Sequence, residues 1–177
     1  MAIEIERRFL VEDDSWQAAS ESSQQIVQGY ILVSETKTVR VRIAESEAWL
    51  TMKGGTDVLN RLEFEYPIPL EDARTMIDSL CENRVIDKVR HRISQGDLTW
   101  EIDIFNGANA GLVIAEIELP APDTPFERPA WLGEEVSDDC RYLNARLLTN
   151  PWPNWRTKKG EASREADPTS HGGVRKP

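Results

Sequence analysis

Residues 4–11 read Glu4-Ile5-Glu6-Arg7-Arg8-Phe9-Leu10-Val11, and charged and apolar side chains alternate along most of this stretch. Because successive side chains of a β-strand point to opposite faces of the sheet, such alternation is typical of a strand with one buried face. We therefore predict a strand over residues 3–11. Its charged face carries Glu4, Glu6 and Arg8, and its apolar face carries Ile5 and Phe9.

The same alternation recurs in seven later segments, so the sequence predicts eight strands in all. The later segments are residues 25–33, 38–44, 48–53, 60–68, 86–94, 98–105 and 112–119. Residues 95–97 read Gln-Gly-Asp and predict a hairpin turn between the sixth and the seventh strand.

Apolar residues at helical spacing predict a helix over residues 71–82 and a second helix from residue 138 or 139 to residue 148. Shorter helical turns are predicted at residues 13–19 and 125–135. After Pro153 the apolar periodicity ends, and Lys, Gly, Ser and Pro become frequent. We therefore predict one folded domain over residues 1–156 and a disordered tail over residues 157–177.

The composition argues against several classes of protein. The chain has 31 Asp and Glu against 21 Lys and Arg, a net charge of −10 that argues against nucleic acid as the main partner. No apolar run reaches the roughly 20 residues that span a membrane, and the first residues lack the apolar core of a secretory signal. Cys81 and Cys140 are too few for a disulfide framework or a metal clip. These features predict a cytoplasmic protein.

The charged positions of the eight strands share one face of the predicted sheet. By parity this face carries eight carboxylates and eight cations, and the opposite face is almost wholly apolar. An open sheet with the charged face in water is one interpretation, because antiparallel sheets commonly have one solvated face. However, a solvated face usually includes Ser, Thr, Asn and Gln, whereas nearly every position here is ionisable. The charges are also segregated, with acidic and basic pairs on different strands.

We favour a sheet that curls with its charged face inward. The predicted fold is α+β, an eight-stranded antiparallel β-barrel (tunnel) with a charged interior and helices packed on the outside. Eight strands leave room for side chains or one small ligand. Because unpaired buried charge is costly, such an interior suits a ligand that completes the neutralisation. A polyphosphate with divalent cations is such a ligand, since Lys and Arg bind phosphate and carboxylates bind Mg²⁺ or Mn²⁺.

Several motifs, in this order, resemble the CYTH, or triphosphate tunnel metalloenzyme, family. The first strand, with Glu4-Ile5-Glu6-Arg7-Arg8, is similar to the Glu-x-Glu-x-Lys signature of that family, from which Arg8 departs. The later motifs are Gln28-Gly29-Tyr30, Val39-Arg40-Val41-Arg42-Ile43, Thr51-Met52-Lys53-Gly54, Glu63-Phe64-Glu65, Lys88-Val89-Arg90, residues 100–105, residues 115–118 and Asp139-Cys140-Arg141-Tyr142-Leu143-Asn144. The resemblance covers residues 3 to about 149.

The resemblance implies divalent-metal-dependent chemistry on triphosphates inside an antiparallel tunnel. It implies that the metal ligands are Glu4, Glu6, Glu116 and Glu118. It implies that the triphosphate is bound by Arg8, Arg40, Arg42, Lys53, Lys88 and Arg90. It also implies a set of catalytic carboxylates, which serve as further metal ligands, orient the metal ligands or hold the attacking water. These are Glu63, Glu65, Glu101 and Asp103.

The leading hypothesis is an inorganic tripolyphosphatase that uses Mg²⁺ or Mn²⁺. A class IV-type adenylate cyclase and a thiamine triphosphatase are alternatives within the same fold. A non-catalytic polyphosphate-binding module is the alternative from another class, although phosphate binding alone needs no carboxylate pairs. The predicted partner is a small triphosphate, with no nucleic acid and no membrane, and a homodimer is one option for the oligomeric state.

Overall fold

The computed structural model describes residues 5–34, 36–54 and 62–156 of the 177-residue chain. The strands in these residues are β1 (Ile5–Val11), β2 (Ser22–Val33), β3 (Lys37–Ala44), β4 (Glu47–Gly54), β5 (Leu62–Pro67), β6 (Val85–Gln95), β7 (Leu98–Phe105), β8 (Val113–Leu119) and β9 (Leu132–Glu135). The helices are α1 (Leu70–Leu80) and α2 (Asn144–Leu147). Short 3₁₀ helices lie at Asp14–Ala19, Gly107–Asn109, Cys140–Tyr142 and Trp152–Asn154. In this part of the chain, no helix has the length and apolarity needed to cross a membrane.

All nine strands belong to one antiparallel sheet with the order β5-β4-β3-β2-β6-β7-β8-β1-β9. Within the described residues, β5 and β9 are the two edges. Side chains of β5 nevertheless line the same cavity as side chains of β1 and β8, which lie near the opposite edge. The sheet is therefore curled into a tunnel with its charged face inward, which confirms the predicted architecture.

The eight predicted strands correspond to β1 to β8, with differences only at their ends. The predicted helix over residues 71–82 is confirmed as α1, and the turn at residues 13–19 is confirmed as a 3₁₀ helix. Residues 3–4 and 60–61 of the predicted strands lie outside the described residues, as does the predicted tail over residues 157–177.

Two helical predictions near the end of the domain are wrong. Residues 125–135 form no helix and end in a ninth strand, β9, which pairs with β1. Its four residues, after Pro125 and Pro129, are too few to show a periodic pattern. The helix predicted up to residue 148 is interrupted at Leu143, whose extended backbone (φ −68°, ψ 135°) separates a 3₁₀ turn from the short helix α2.

Apolar side chains cover the outward face of the sheet. On the outward face of β1, β7 and β8, Trp100 makes edge-to-face contacts with Phe9, Phe126 and Trp131. The ring centroids are 5.8, 5.6 and 5.6 Å apart, respectively. Helix α1 covers β2, β3 and β4, where its buried Ala73 belongs to an apolar cluster of these strands. This outer core leaves the inward face available for polar groups.

The inward face is charged along only part of its length. Toward one end of the tunnel the inward positions become apolar, at Leu10 of β1, Ile86 of β6, Phe105 of β7 and Ile114 of β8. Tyr142 and Leu147, from the segment after β9, belong to the same buried cluster. The charged part of the lumen therefore borders an apolar cluster at this end.

Gly29 of β2 lies against the C-terminal end of α1. A Cβ atom at this position would lie 2.5 Å from Sγ of Cys81 and 3.1 Å from Cγ1 of Ile77. Cys81 is fully buried, so it has little room to move. The absence of a side chain at Gly29 therefore allows the helix end to approach the sheet.

Gly29→Ala is expected to lower the free energy of unfolding by about 1–3 kcal/mol, because the added methyl group overpacks this contact. Urea unfolding measures the loss. In a Cys81→Ala background the same substitution is expected to cost much less, since Sγ is then absent. Equal losses in the two backgrounds would show that the close approach to Cys81 is not the cause.

Candidate active site

The curled sheet surrounds a cavity of about 1030 Å³. The structure brings most of the predicted site residues to its wall: Glu6, Arg8, Arg40, Arg42, Lys53, Glu63, Glu65, Lys88, Arg90, Glu101, Glu116 and Glu118. Glu4 lies outside the described residues. Asp103 does not line the cavity, because it is 1% exposed and buried against its neighbours on β6.

Asp103 holds two cations of β6 in place. Lys88 donates a hydrogen bond to its Oδ2 atom, and Arg90 donates two of 2.7 Å, from Nε to Oδ1 and from Nη2 to Oδ2. The strand register produces this contact, because Arg90 lies directly opposite Asp103. The ammonium of Lys88 also lies 5.5 Å from the ring centroid of Phe105, at the apolar end of the lumen.

Arg90 connects this buried ion pair to the cavity. Its Nη1 contacts Glu101, and its Nη2 lies 2.8 Å from Oε2 of Glu116. Burial by itself would lower the pKa of Arg90, but the hydrogen bonds and negative charge of the three carboxylates raise it. Burial would likewise raise the pKa of Asp103, yet Lys88 and Arg90 lower it. Both groups therefore stay charged.

Glu6 of β1 and Glu116 of β8 form a carboxylate pair at the cavity wall. Burial and repulsion from Glu116 raise the pKa of Glu6 to about 8. Burial also opposes ionisation of Glu116, but the neighbouring Lys88 and Arg90 lower its pKa. At neutral pH Glu6 is therefore mostly protonated while Glu116 is ionised. Ionisation of Glu6 would place a second negative charge beside Glu116, and an added cation is needed to stabilise it.

The donor atoms of this pair suit a hard divalent cation. Oε1 of Glu6 is buried without a hydrogen-bond partner. Glu118 lies opposite Glu6 in the β1–β8 ladder and is exposed. Within the described ranges, no three His, Cys, Asp or Glu side chains converge closely enough to hold a metal by themselves. Two carboxylates are compatible with Mg²⁺, which usually keeps several waters and takes phosphate oxygens as further ligands.

The wall formed by β3, β4 and β5 carries a second set of charges. Arg42 lies 3.3 Å from Glu65, whose Oε2 also accepts a 2.8 Å hydrogen bond from the Thr51 hydroxyl. Lys53 lies 2.8 Å from Glu63. Burial and the neighbouring Arg40 lower the pKa of Arg42. The Nε atoms of both arginines are buried without hydrogen-bond partners, so this wall favours an added anion.

Gln28 and Tyr30 of β2 line the cavity, although they were not predicted as site residues. Gln28 donates a 2.8 Å hydrogen bond to the Tyr30 hydroxyl. The register places Gln28 opposite Arg42 and Tyr30 opposite Arg40. Parity along β2 and the motif Gln28-Gly29-Tyr30 could have identified both residues, but this strand has no charged side chain that would assign it a charged face.

The CYTH domain family matches residues 2–146 of this chain. An inorganic triphosphatase of Acetivibrio thermocellus is 43% identical over 156 residues, which cover 88% of this chain and 99% of that protein. An inorganic triphosphatase of Nitrosomonas europaea is 33% identical over 152 residues, with 81% and 95% covered. The crystal structure of the inorganic triphosphatase NE1496 superposes with a TM-score of 0.65 at 29% identity, covering 84% of this chain and 95% of that one. With its curled antiparallel sheet and this match over most of its length, the chain belongs to the CYTH domain family.

Proposed function

We propose that this protein is a divalent-metal-dependent inorganic triphosphatase that hydrolyses tripolyphosphate in the lumen of its sheet. The observation that carries the proposal is the Glu6–Glu116 carboxylate pair, which faces the same cavity as the cations of β3, β4 and β6. Such a site offers oxygen ligands to a metal and positive charge to phosphate groups. The two relatives named inorganic triphosphatase support the choice of substrate.

The proposed triphosphate-binding residues are the cations of the lumen: Arg8, Arg40, Arg42, Lys53, Lys88 and Arg90. Arg40 and Arg42 are the best placed for direct contact, because each retains a buried Nε donor without a partner. A guanidinium binds phosphate oxygens through two parallel hydrogen bonds. These contacts are strengthened in the lumen, where water is partly excluded.

The proposed metal ligands are Glu6 and Glu116, with Glu4 and Glu118 as further ligands from the same two strands. Mg²⁺ or Mn²⁺ is the proposed ion, because both favour carboxylate and water oxygens. When bound, such an ion neutralises charge on the phosphate oxygens and lowers the pKa of the attacking water.

Four further carboxylates are proposed to take part in hydrolysis: Glu63, Glu65, Glu101 and Asp103. The first three face the cavity, and each contacts a cation of the lumen. Their proposed role is to orient the water in line with the phosphoanhydride bond that breaks, since phosphoryl transfer depends mainly on positioning and electrostatics. Asp103 lies on the inward face of β7 but is buried beneath Lys88 and Arg90, so its proposed role is to position these two cations.

We further propose a single catalytic domain over residues 1–156 and a cytoplasmic location. Cys81 and Cys140 are both free, as is usual in a reducing compartment. The proposed partner is a small triphosphate, and neither nucleic acid nor a membrane has a role in the reaction.

The purified protein is expected to release phosphate from tripolyphosphate with Mg²⁺ or Mn²⁺ and to release none in EDTA. Assays with tripolyphosphate, thiamine triphosphate and ATP, in which phosphate and cyclic AMP are both measured, identify the activity. Cyclic AMP as the main product would contradict the proposal and indicate a cyclase. The highest kcat/KM with thiamine triphosphate would indicate a thiamine triphosphatase instead.

Glu116→Gln is expected to lower kcat for tripolyphosphate by about 10²–10³, the typical effect of removing one preorganised electrostatic group. The variant loses a proposed metal ligand and the negative partner of Arg90. Glu71→Gln is the matched control, because Glu71 lies on the exposed side of α1 and is expected to leave kcat unchanged. Wild-type turnover by Glu116→Gln would exclude Glu116 as a metal ligand.

Glu6→Gln is expected to melt at the wild-type temperature or slightly above it in EDTA, because glutamine adds no second negative charge beside Glu116. In excess Mg²⁺ the melting temperature of the wild type is expected to rise, since the ion binds the folded state only. The melting temperature of Glu6→Gln is expected to stay the same in excess Mg²⁺. Thermal unfolding with and without Mg²⁺ measures both effects, with Glu71→Gln again as the control. An undiminished Mg²⁺ response in Glu6→Gln would rule out Glu6 as a ligand.

A further inference from the structure

Arg8 lies between the two carboxylates that are the proposed metal ligands. Its Nη2 atom lies 2.9 Å from Oε2 of Glu6, and its Nε atom donates a 3.0 Å hydrogen bond to Oε1 of Glu116. The strand register places Arg8 directly opposite Glu116. The backbone N–H of Arg8 is fixed by a 3.0 Å hydrogen bond to the Ser137 hydroxyl, so β1 holds this side chain at the pair.

The contacts of Arg8 use oxygen atoms that a metal ion would need. Oε2 of Glu6 and Oε1 of Glu116 contact Arg8, and Oε2 of Glu116 contacts Arg90 at 2.8 Å. Among the described residues, Oε1 of Glu6 is the one oxygen of the pair without a partner. An ion that binds both carboxylates therefore has to displace Arg8 or Arg90. Arg90 is also held by Glu101 and Asp103, whereas among the described residues the ion pairs of Arg8 are with Glu6 and Glu116, so Arg8 is the cation that gives way.

We propose that Arg8 is an internal counter-ion that competes with the divalent metal for Glu6 and Glu116 and is released to the triphosphate when the metal binds. The inference rests on the proposed function of the site. A divalent ion supplies two positive charges to the pair where the guanidinium supplies one. Arg8 also lines the cavity, so a change of its side-chain rotamer is sufficient to bring it to a phosphate there.

This exchange couples the binding of metal and of triphosphate. A metal that binds alone breaks the contacts of Arg8 with the carboxylates, and a triphosphate that binds alone has to draw Arg8 away from them. When both bind, the metal replaces Arg8 at the carboxylates and the phosphate oxygens replace the carboxylates at Arg8. Each ligand therefore raises the affinity for the other, and by thermodynamic linkage the factor is the same in both directions.

The side chain at position 8 sets the strength of the competition. A guanidinium presents its donors in a planar fork and contacts both carboxylates at once, whereas an ammonium is a compact point charge on a shorter chain. Arg8→Lys therefore retains the positive charge of the lumen and loses the bridge between Glu6 and Glu116. The substitution separates the effect of the bridge from the effect of charge.

Titration with Mn²⁺ in the absence of substrate tests the exchange without any hydrolysis. The free ion is quantified by its electron paramagnetic resonance signal. Arg8→Lys is expected to bind Mn²⁺ about five- to tenfold more tightly than the wild type, at the lower end of usual coupling factors. Arg7→Lys is the matched control, because it makes the same replacement at the neighbouring residue of β1, whose guanidinium contacts Glu135 away from the cavity, and it is expected to keep the wild-type affinity. Unchanged or weaker Mn²⁺ binding by Arg8→Lys, or an equal gain in Arg7→Lys, would overturn the proposal.

A second variant, Arg8→Gln, guards against a folding defect in Arg8→Lys and is expected to show the same or a larger gain in Mn²⁺ affinity. Calorimetric titration of tripolyphosphate in EDTA provides an independent measurement. Arg8→Gln is expected to weaken metal-free tripolyphosphate binding less than Arg40→Gln does, since Arg8 is held by the carboxylates in that state. The opposite order would overturn the exchange. A wild-type protein that binds both ligands and releases no phosphate would instead overturn the proposed triphosphatase activity.

Discussion

The ion pairs of Asp103 with Lys88 and Arg90 are the interaction on which the charged lumen depends. Two cations are stable in a wall almost closed to solvent only because this carboxylate is 1% exposed and accepts hydrogen bonds from both. Breaking a buried ion pair by removing one partner typically costs about 3–5 kcal/mol. Arg90 then extends the network to Glu101 and Glu116. A residue that is buried behind the cavity wall therefore fixes the geometry of residues that line the cavity.

A curled sheet can maintain such a lumen because its outward face forms the hydrophobic core and its inward face carries the charged groups. The outward face supplies the apolar burial that stabilises the fold, through the aromatic cluster around Trp100 and through the packing of α1. The inward face contributes little to that core except at its apolar end, where Tyr142 and Leu147 join the inward residues of five strands. Charge in the rest of the lumen is therefore tolerated without loss of the main hydrophobic core.

The sequence determined much of this arrangement because strand parity is a strict rule. Once Glu6 and Arg8 share a face, Glu116 and Glu118 face them in any antiparallel pairing that keeps the apolar face buried. The strand β9 was not predicted because its four residues are too few to show an alternating pattern. The break at Leu143 was not predicted because the spacing of apolar residues does not reveal a single residue with an extended backbone. The bridge from Arg8 to two carboxylates could not be predicted either, since it depends on rotamers and distances that parity leaves open.

The ion pairs of the lumen also constrain the kind of ligand that it can accept. Most of its cations contact a carboxylate of the same cavity, as Lys53 contacts Glu63 and Arg42 contacts Glu65. An anion that enters alone competes with these carboxylates, and a cation that enters alone competes with the guanidinium groups. A ligand that brings charges of both signs satisfies the two sets of side chains together and leaves no buried charge unpaired. A triphosphate accompanied by a divalent cation has this composition, so the internal pairing of the lumen favours the complex of the two over either ion by itself.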